Sequence, residues 1–160
     1  MKHLIIAATL CAASLISWGS TQAQLVTAPA ASPASAYPVE PAPGLYQALG
    51  EKAGLRTLMD DVVQRASTDP RIGERFKKTK LDELSKQLTD QFCQLAGGPC
   101  VYKGPTMKDS HADMEITRAD FNTLVEVLRQ AMNAQDIPFR RQNQLLALVA
   151  PMYRDIVLSR

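Results

Sequence analysis

Residues 97–117 read GGPCVYKGPTMKDSHADMEIT, and they hold His111, one of two histidines in a chain of 160 residues. The other, His3, sits in an N-terminal stretch with the marks of a cleaved leader, which leaves the mature chain one imidazole. A single imidazole cannot build a multi-histidine metal site, and no serine or cysteine hydrolase motif surrounds it. A lone histidine is by default a surface or core residue. Its neighbours in the chain decide whether it is more.

Outward from this stretch the periodicity is helical. Leu55, Leu58, Met59, Val62, Val63 and Ala66 recur at steps of three and four, so one helix face is apolar until Thr68-Asp69-Pro70 ends it. Leu81, Leu84, Leu88, Phe92 and Leu95 make a second stripe, stopped by Gly97-Gly98-Pro99. A third, Phe121, Leu124, Val125, Leu128 and Met132, follows Thr117-Arg118-Ala119-Asp120, whose spacing fits a capping box with Asp at the third position. Leu145, Leu148, Val149, Met152 and Ile156 form the fourth, and Met107 to Met114 fits a two-turn helix carrying His111. No strand pattern competes, so the expected fold class is all-α. Periodicity alone does not separate a core stripe from the wall of a cofactor pocket.

The first residues, MKHLIIAATLCAASLISWGSTQAQ, carry Lys2, an apolar run from Leu4 to Trp18 and the small-residue site Thr21-Gln22-Ala23. They read as a secretory signal peptide, residues 1–23, with an uncleaved N-terminal anchor as the alternative. Residues 24–44, rich in Pro, Ala and Ser, read as a disordered linker, and residues 45–160 as one domain with a single core. Export implies a periplasmic or secreted location and no membrane partner once the signal is cut. The net charge of +2 and the absence of a concentrated basic stripe argue against nucleic acid as a partner. Arg75-Phe76-Lys77-Lys78-Thr79-Lys80 is read as a solvated helix end. Of three cysteines, Cys93 and Cys100 remain after the leader. Gly97-Gly98-Pro99 between them allows a disulfide, and two unpaired thiols with Cys93 in the core fit the sequence equally well.

Gly97-Gly98-Pro99, Tyr102, Gly104, Met107, His111, Ile116-Thr117 and Asp120-Phe121 reproduce in order the signature of the group I truncated haemoglobins. Leu45-Tyr46 with Leu49-Gly50, Asp69-Pro70-Arg71-Ile72 with Phe76 beyond, and Ala150-Pro151-Met152 also resemble that family. The similarity spans residues 45–157. Each motif is weak alone, and their ordered combination around one histidine is specific.

The resemblance implies a truncated globin fold, a two-over-two helical sandwich holding haem b, with His111 as the proximal iron ligand. It assigns Phe76, Leu84, Leu88, Phe92, Met107, Met114, Ile116, Phe121 and Leu124 to the haem pocket. Lys78, Tyr102 and Lys108 become candidate partners of the propionates. One neutral imidazole nitrogen suffices for haem iron in a globin, with the opposite face left for a gas. The implied ligand is a diatomic gas: O2, NO or CO. Turnover of nitric oxide would need a separate reductase, since this chain has no flavin or nicotinamide motif.

Two departures from the family pattern bear on mechanism. Many relatives place a tyrosine thirteen residues before the packing phenylalanine and glutamines on the next helix; here those positions are Val63, Leu84 and Leu88. Gln87 and Gln91 are then the nearest polar candidates, and weak oxygen retention is expected. Relatives also commonly have glycines where Asp113 and Glu115 stand. That turn either takes a left-handed residue at some cost or follows ordinary angles, and the two carboxylates either face water or polarise His111. A sixth ligand from a lysine such as Lys86 or from a methionine, a haem peroxidase-like redox protein and a haem-free helical interaction module are the other readings. The peroxidase lacks a distal acid or base in Leu84 and Leu88.

Overall fold

A computed structural model describes residues 39–157. The signal-peptide reading, and the linker reading up to residue 38, fall outside them. Seven α-helices are described: α1 (Leu45–Ala48), α2 (Glu51–Thr68), α3 (Leu81–Leu95), α4 (Met107–His111), α5 (Arg118–Ala134), α6 (Phe139–Val149) and α7 (Tyr153–Ile156). Among the described residues there is no strand. The fold is all-α, a two-over-two sandwich in which α2 and α3 lie over α5 and α6.

The α2 stripe is the centre of the core. Leu55, Leu58 and Met59 are fully buried, and Val62, Val63 and Ala66 are at most 5% exposed. All but Val63 meet Val127, Leu128, Ala131 and Met132 of α5 and Leu145, Leu146 and Leu148 of α6 in one apolar cluster. At the front of the domain, Ala42 packs on this cluster and Arg141 donates to the Pro43 carbonyl at 3.3 Å.

Local signals place the helix ends. Thr117 and Asp120 form the capping box read from their spacing: the Thr117 hydroxyl accepts from Asp120 N–H, and the Asp120 carboxylate accepts from Thr117 N–H. At the end of α3, Gly97 takes φ +82°, Gly97 N–H donates to the Gln94 carbonyl and Gly98 N–H to the Cys93 carbonyl, a Schellman closure. Gly98 is required for a different reason. A Cβ there would come within 2.6 Å of the Tyr46 ring and 2.7 Å of Cys93 Sγ. The fourth stripe is continuous in space but not in one helix, because Pro151 interrupts it with a 3-10 turn over Ala150–Met152 before α7.

Cys93 and Cys100 are joined as a disulfide, which ties the end of α3 to the chain leading into α4. Among the described residues, no helix is long and apolar enough to cross a membrane.

Candidate functional site

His111 closes α4, a helix of five residues that buries no side chain. It forms because Thr106 caps it, accepting from Asp109 N–H at 3.1 Å, while Asp109 puts negative charge in the first turn. The segment is shorter than the two turns expected, since the chain leaves the helix after His111 and reaches the left-handed region at Glu115, φ +46°. His111 Nδ1 lies 2.8 Å from the Met107 carbonyl. A carbonyl oxygen only accepts, so Nδ1 carries the proton and a neutral ring presents its lone pair at Nε2. Hydrogen bonding has selected the tautomer a metal requires. The contact with Met107 also answers the alternative drawn from Asp113 and Glu115: neither carboxylate is the Nδ1 partner, and Glu115 takes the left-handed turn.

The second feature is a displaced apolar face on α3. The side chains this helix buries are Ser85, Thr89, Gln91, Phe92 and Cys93. Ser85 donates to Asp60 of α2, so the small side chains Ser85, Thr89 and Cys93 form the seam along which the two helices approach closely. Leu84 and Leu88 lie about 100° round the helix from that seam and stay half-buried. Phe76, Met107, Met114 and Phe121 are likewise half-buried, whereas Phe92 and Ile116 are buried. Phe76 and Leu88 pack against the margin of the core cluster, and the half-buried set is drawn from the 73–76 turn, α3, α4, the turn after it and α5.

Two polar contacts show that these segments meet. Gln91 Nε2 donates to Met107 Sδ at 3.3 Å, joining α3 to α4. Arg75 Nη1 donates to the Met114 carbonyl at 2.5 Å, joining the turn that carries Phe76 to the residues after His111. Phe121 stacks edge-on against Tyr153, with ring centroids 5.1 Å apart. Leu124 is 38% exposed.

The polar candidates separate. Gln91 is 4% exposed and turned inward, whereas Gln87 is exposed and reaches only towards Glu83 at 3.5 Å. Gln87 belongs to an outer groove of about 590 Å³, lined also by Lys52, Asp90, Cys100, Tyr102 and Lys103. The Tyr102 hydroxyl donates to the Pro105 carbonyl at 2.9 Å, and burial pushes its pKa up. Lys78 and Lys108 are exposed, and Lys86 is paired with Asp82 at 2.6 Å on the solvent side of α3. Arg75 escaped the reading of residues 75–80 as a solvated helix end. Its only sequence signal was its place next to Phe76.

Among the described residues no three His, Cys, Asp or Glu side chains stand close enough to hold an ion by themselves. A helical sandwich with one tautomer-selected imidazole and a set of half-buried apolar side chains has the arrangement of a small globin.

The comparisons agree. The bacterial-like globin family matches residues 44–157. The group 1 truncated haemoglobin of Tetrahymena pyriformis is 25% identical over 113 residues, covering 71% of this chain and 93% of that one. That of Mycolicibacterium paratuberculosis is 26% identical over 117 residues, covering 73% and 85%. The crystal structure of the Tetrahymena pyriformis protein in its Fe(III) form superposes with a TM-score of 0.68 over 71% of this chain and 97% of that chain. The chain belongs to the bacterial-like globins, and within them to the group I truncated haemoglobins.

Proposed function

We propose that this chain binds haem b with His111 as the proximal ligand and takes up diatomic gases. The observation that carries the reading is the bond from His111 Nδ1–H to the Met107 carbonyl, which directs Nε2 outward as a ligand. The half-buried set of Phe76, Leu84, Leu88, Met107, Met114 and Phe121 fits the apolar faces of a porphyrin. Bound haem would supply an iron with one axial position available to O2, NO or CO.

The chain's own residues set the selectivity. Val63 is buried, and Leu84 and Leu88 present only hydrocarbon, so they exclude water and offer no proton. A charge-assisted hydrogen bond to a polarised ligand is worth about 1.5–3 kcal/mol, and oxygen depends on such a donor more than carbon monoxide does. Gln91 is the one buried amide near this face, and its Nε2 is held by Met107 Sδ. The side chains therefore favour weak oxygen retention and largely unaltered binding of carbon monoxide.

Absorption spectra of the ferric, dithionite-reduced and carbon monoxide forms, beside His111→Ala, test this. A sharp Soret band with an imidazole-type carbon monoxide complex, lost in the variant, is expected. A free-haem spectrum indifferent to the variant overturns the assignment. Export belongs to the same proposal: the disulfide suits an oxidising compartment, and the mass of the chain recovered from its own cells tests cleavage after Ala23.

A further inference from the structure

A five-residue helix with no buried side chain cannot hold its own position by apolar burial or by helix propensity. Something else fixes where His111 stands. At its N-terminal end α4 has the Thr106 cap and the Gln91 contact to Met107. At its C-terminal end, Met114 N–H donates to the His111 carbonyl at 3.2 Å, and the Met114 carbonyl accepts from Arg75 Nη1. One residue, Met114, thus links the guanidinium to the histidine backbone. Arg75 Nη2 makes a longer approach of 3.5 Å to the Glu115 carbonyl and a bond of 2.8 Å to Asp120 Oδ2. That oxygen also accepts from the N–H and the hydroxyl of Thr117, both at 2.9 Å, at the start of α5.

Glu115 is the reason such a clamp is needed. It has a Cβ and yet takes φ +46°, a conformation that costs an ordinary residue about 1–2 kcal/mol and glycine very little. The turn between α4 and α5 is therefore intrinsically unfavourable. Arg75 holds the carbonyls on either side of it. The planar fork is essential, because one nitrogen serves Met114 while the other serves Asp120.

We propose that Arg75 is a positioning residue for the proximal ligand: by clamping Met114, Glu115 and Asp120 it holds a strained turn that fixes the placement of His111. The inference rests on the haem reading. Its test is resonance Raman spectroscopy of the ferrous haem-loaded protein, reading the iron–imidazole stretching band, together with the rate of haem transfer to an apoglobin acceptor.

Arg75→Ala shifts and broadens the band and speeds haem transfer by about tenfold, the equivalent of one charge-assisted hydrogen bond. Adding Glu115→Gly, which removes the strain, restores the band and brings the rate to within about threefold of the unmutated protein. Should Arg75→Ala not fold, Arg75→Lys gives the same reading, since a single ammonium keeps the charge near Asp120 but cannot serve Met114 at the same time. An unchanged band in either variant overturns the proposal. So does a shifted band that Glu115→Gly leaves unrestored, because Arg75 would then be a general stabiliser of the domain. Absence of the iron–imidazole band from the unmutated protein overturns the haem reading itself, an outcome distinct from the other two.

Discussion

Opening the Cys93–Cys100 bond should be felt by the whole domain. The bridge spans a sequence separation of 7, and a loop of that length restricts the unfolded chain by about 2.5 kcal/mol at 25 °C on the chain-entropy estimate. The native state gives up little in return. Cys93 is fully buried and as a thiol would remain a small apolar side chain in place, while Cys100 is half-exposed. For a domain of this size, that loss corresponds to a fall in Tm of about 10 °C. Urea denaturation followed by far-ultraviolet circular dichroism is the assay, run on the unmutated chain with and without reductant and on Cys100→Ala. The reduced chain and Cys100→Ala should coincide, both well below the oxidised chain, and reductant should do nothing further to the variant. A midpoint indifferent to reductant, with both thiols shown to be free by alkylation, would refute the entropic reasoning.

If Leu84 belongs to the pocket wall rather than to the core, Leu84→Ala costs the haem-free protein only about 1 kcal/mol, against about 2–5 for the fully buried Leu58→Ala. Equal costs by denaturant titration would return the α3 stripe to the core. Thr117→Ala removes the acceptor for Asp120 N–H and should lower stability by about 1 kcal/mol in the same titration, whereas an unchanged midpoint would show that the α5 cap contributes nothing. Burial disfavours the ionised Asp120, but the bonds from Thr117 and Arg75 outweigh it and hold its carboxyl below the usual carboxylate range. A pKa depressed by folding contributes stability that is present in full above the unfolded value of about 3.9 and is lost as pH falls through the folded one. Asp120→Asn should therefore flatten the acid side of the stability profile between about pH 5 and pH 2, and an identical acid slope would exclude the linkage.

The helical period, the α2 core stripe, the α5 capping box and the glycine stop of α3 were legible because each is a local rule, written in residues a few positions apart. The family was legible for a related reason. The residues from Gly97 to Phe121 around His111 carry its pattern, and the haem-pocket residues that the resemblance implies could be named one by one. Of these, Leu124 is exposed and the others are buried or half-buried.

What only tertiary structure decided concerns which side of an element meets which neighbour. The α3 sequence shows an apolar stripe, and nothing in it says that Ser85, Thr89 and Cys93 will take the α2 seam and leave Leu84 and Leu88 half-buried beside it. That depends on how closely α2 approaches, and small side chains permit the closest approach. Gln87 and Gln91 are one helical turn apart and equivalent in sequence, yet one lines an outer groove and the other reaches Met107. Cysteine spacing left the disulfide undecided because bonding depends on three-dimensional separation. Arg75 reads as one charge in a basic run until folding sets it against residues about forty positions away. Helices and caps follow from neighbours in the chain; helix seams, the disulfide and long-range contacts such as those of Arg75 follow from neighbours in space.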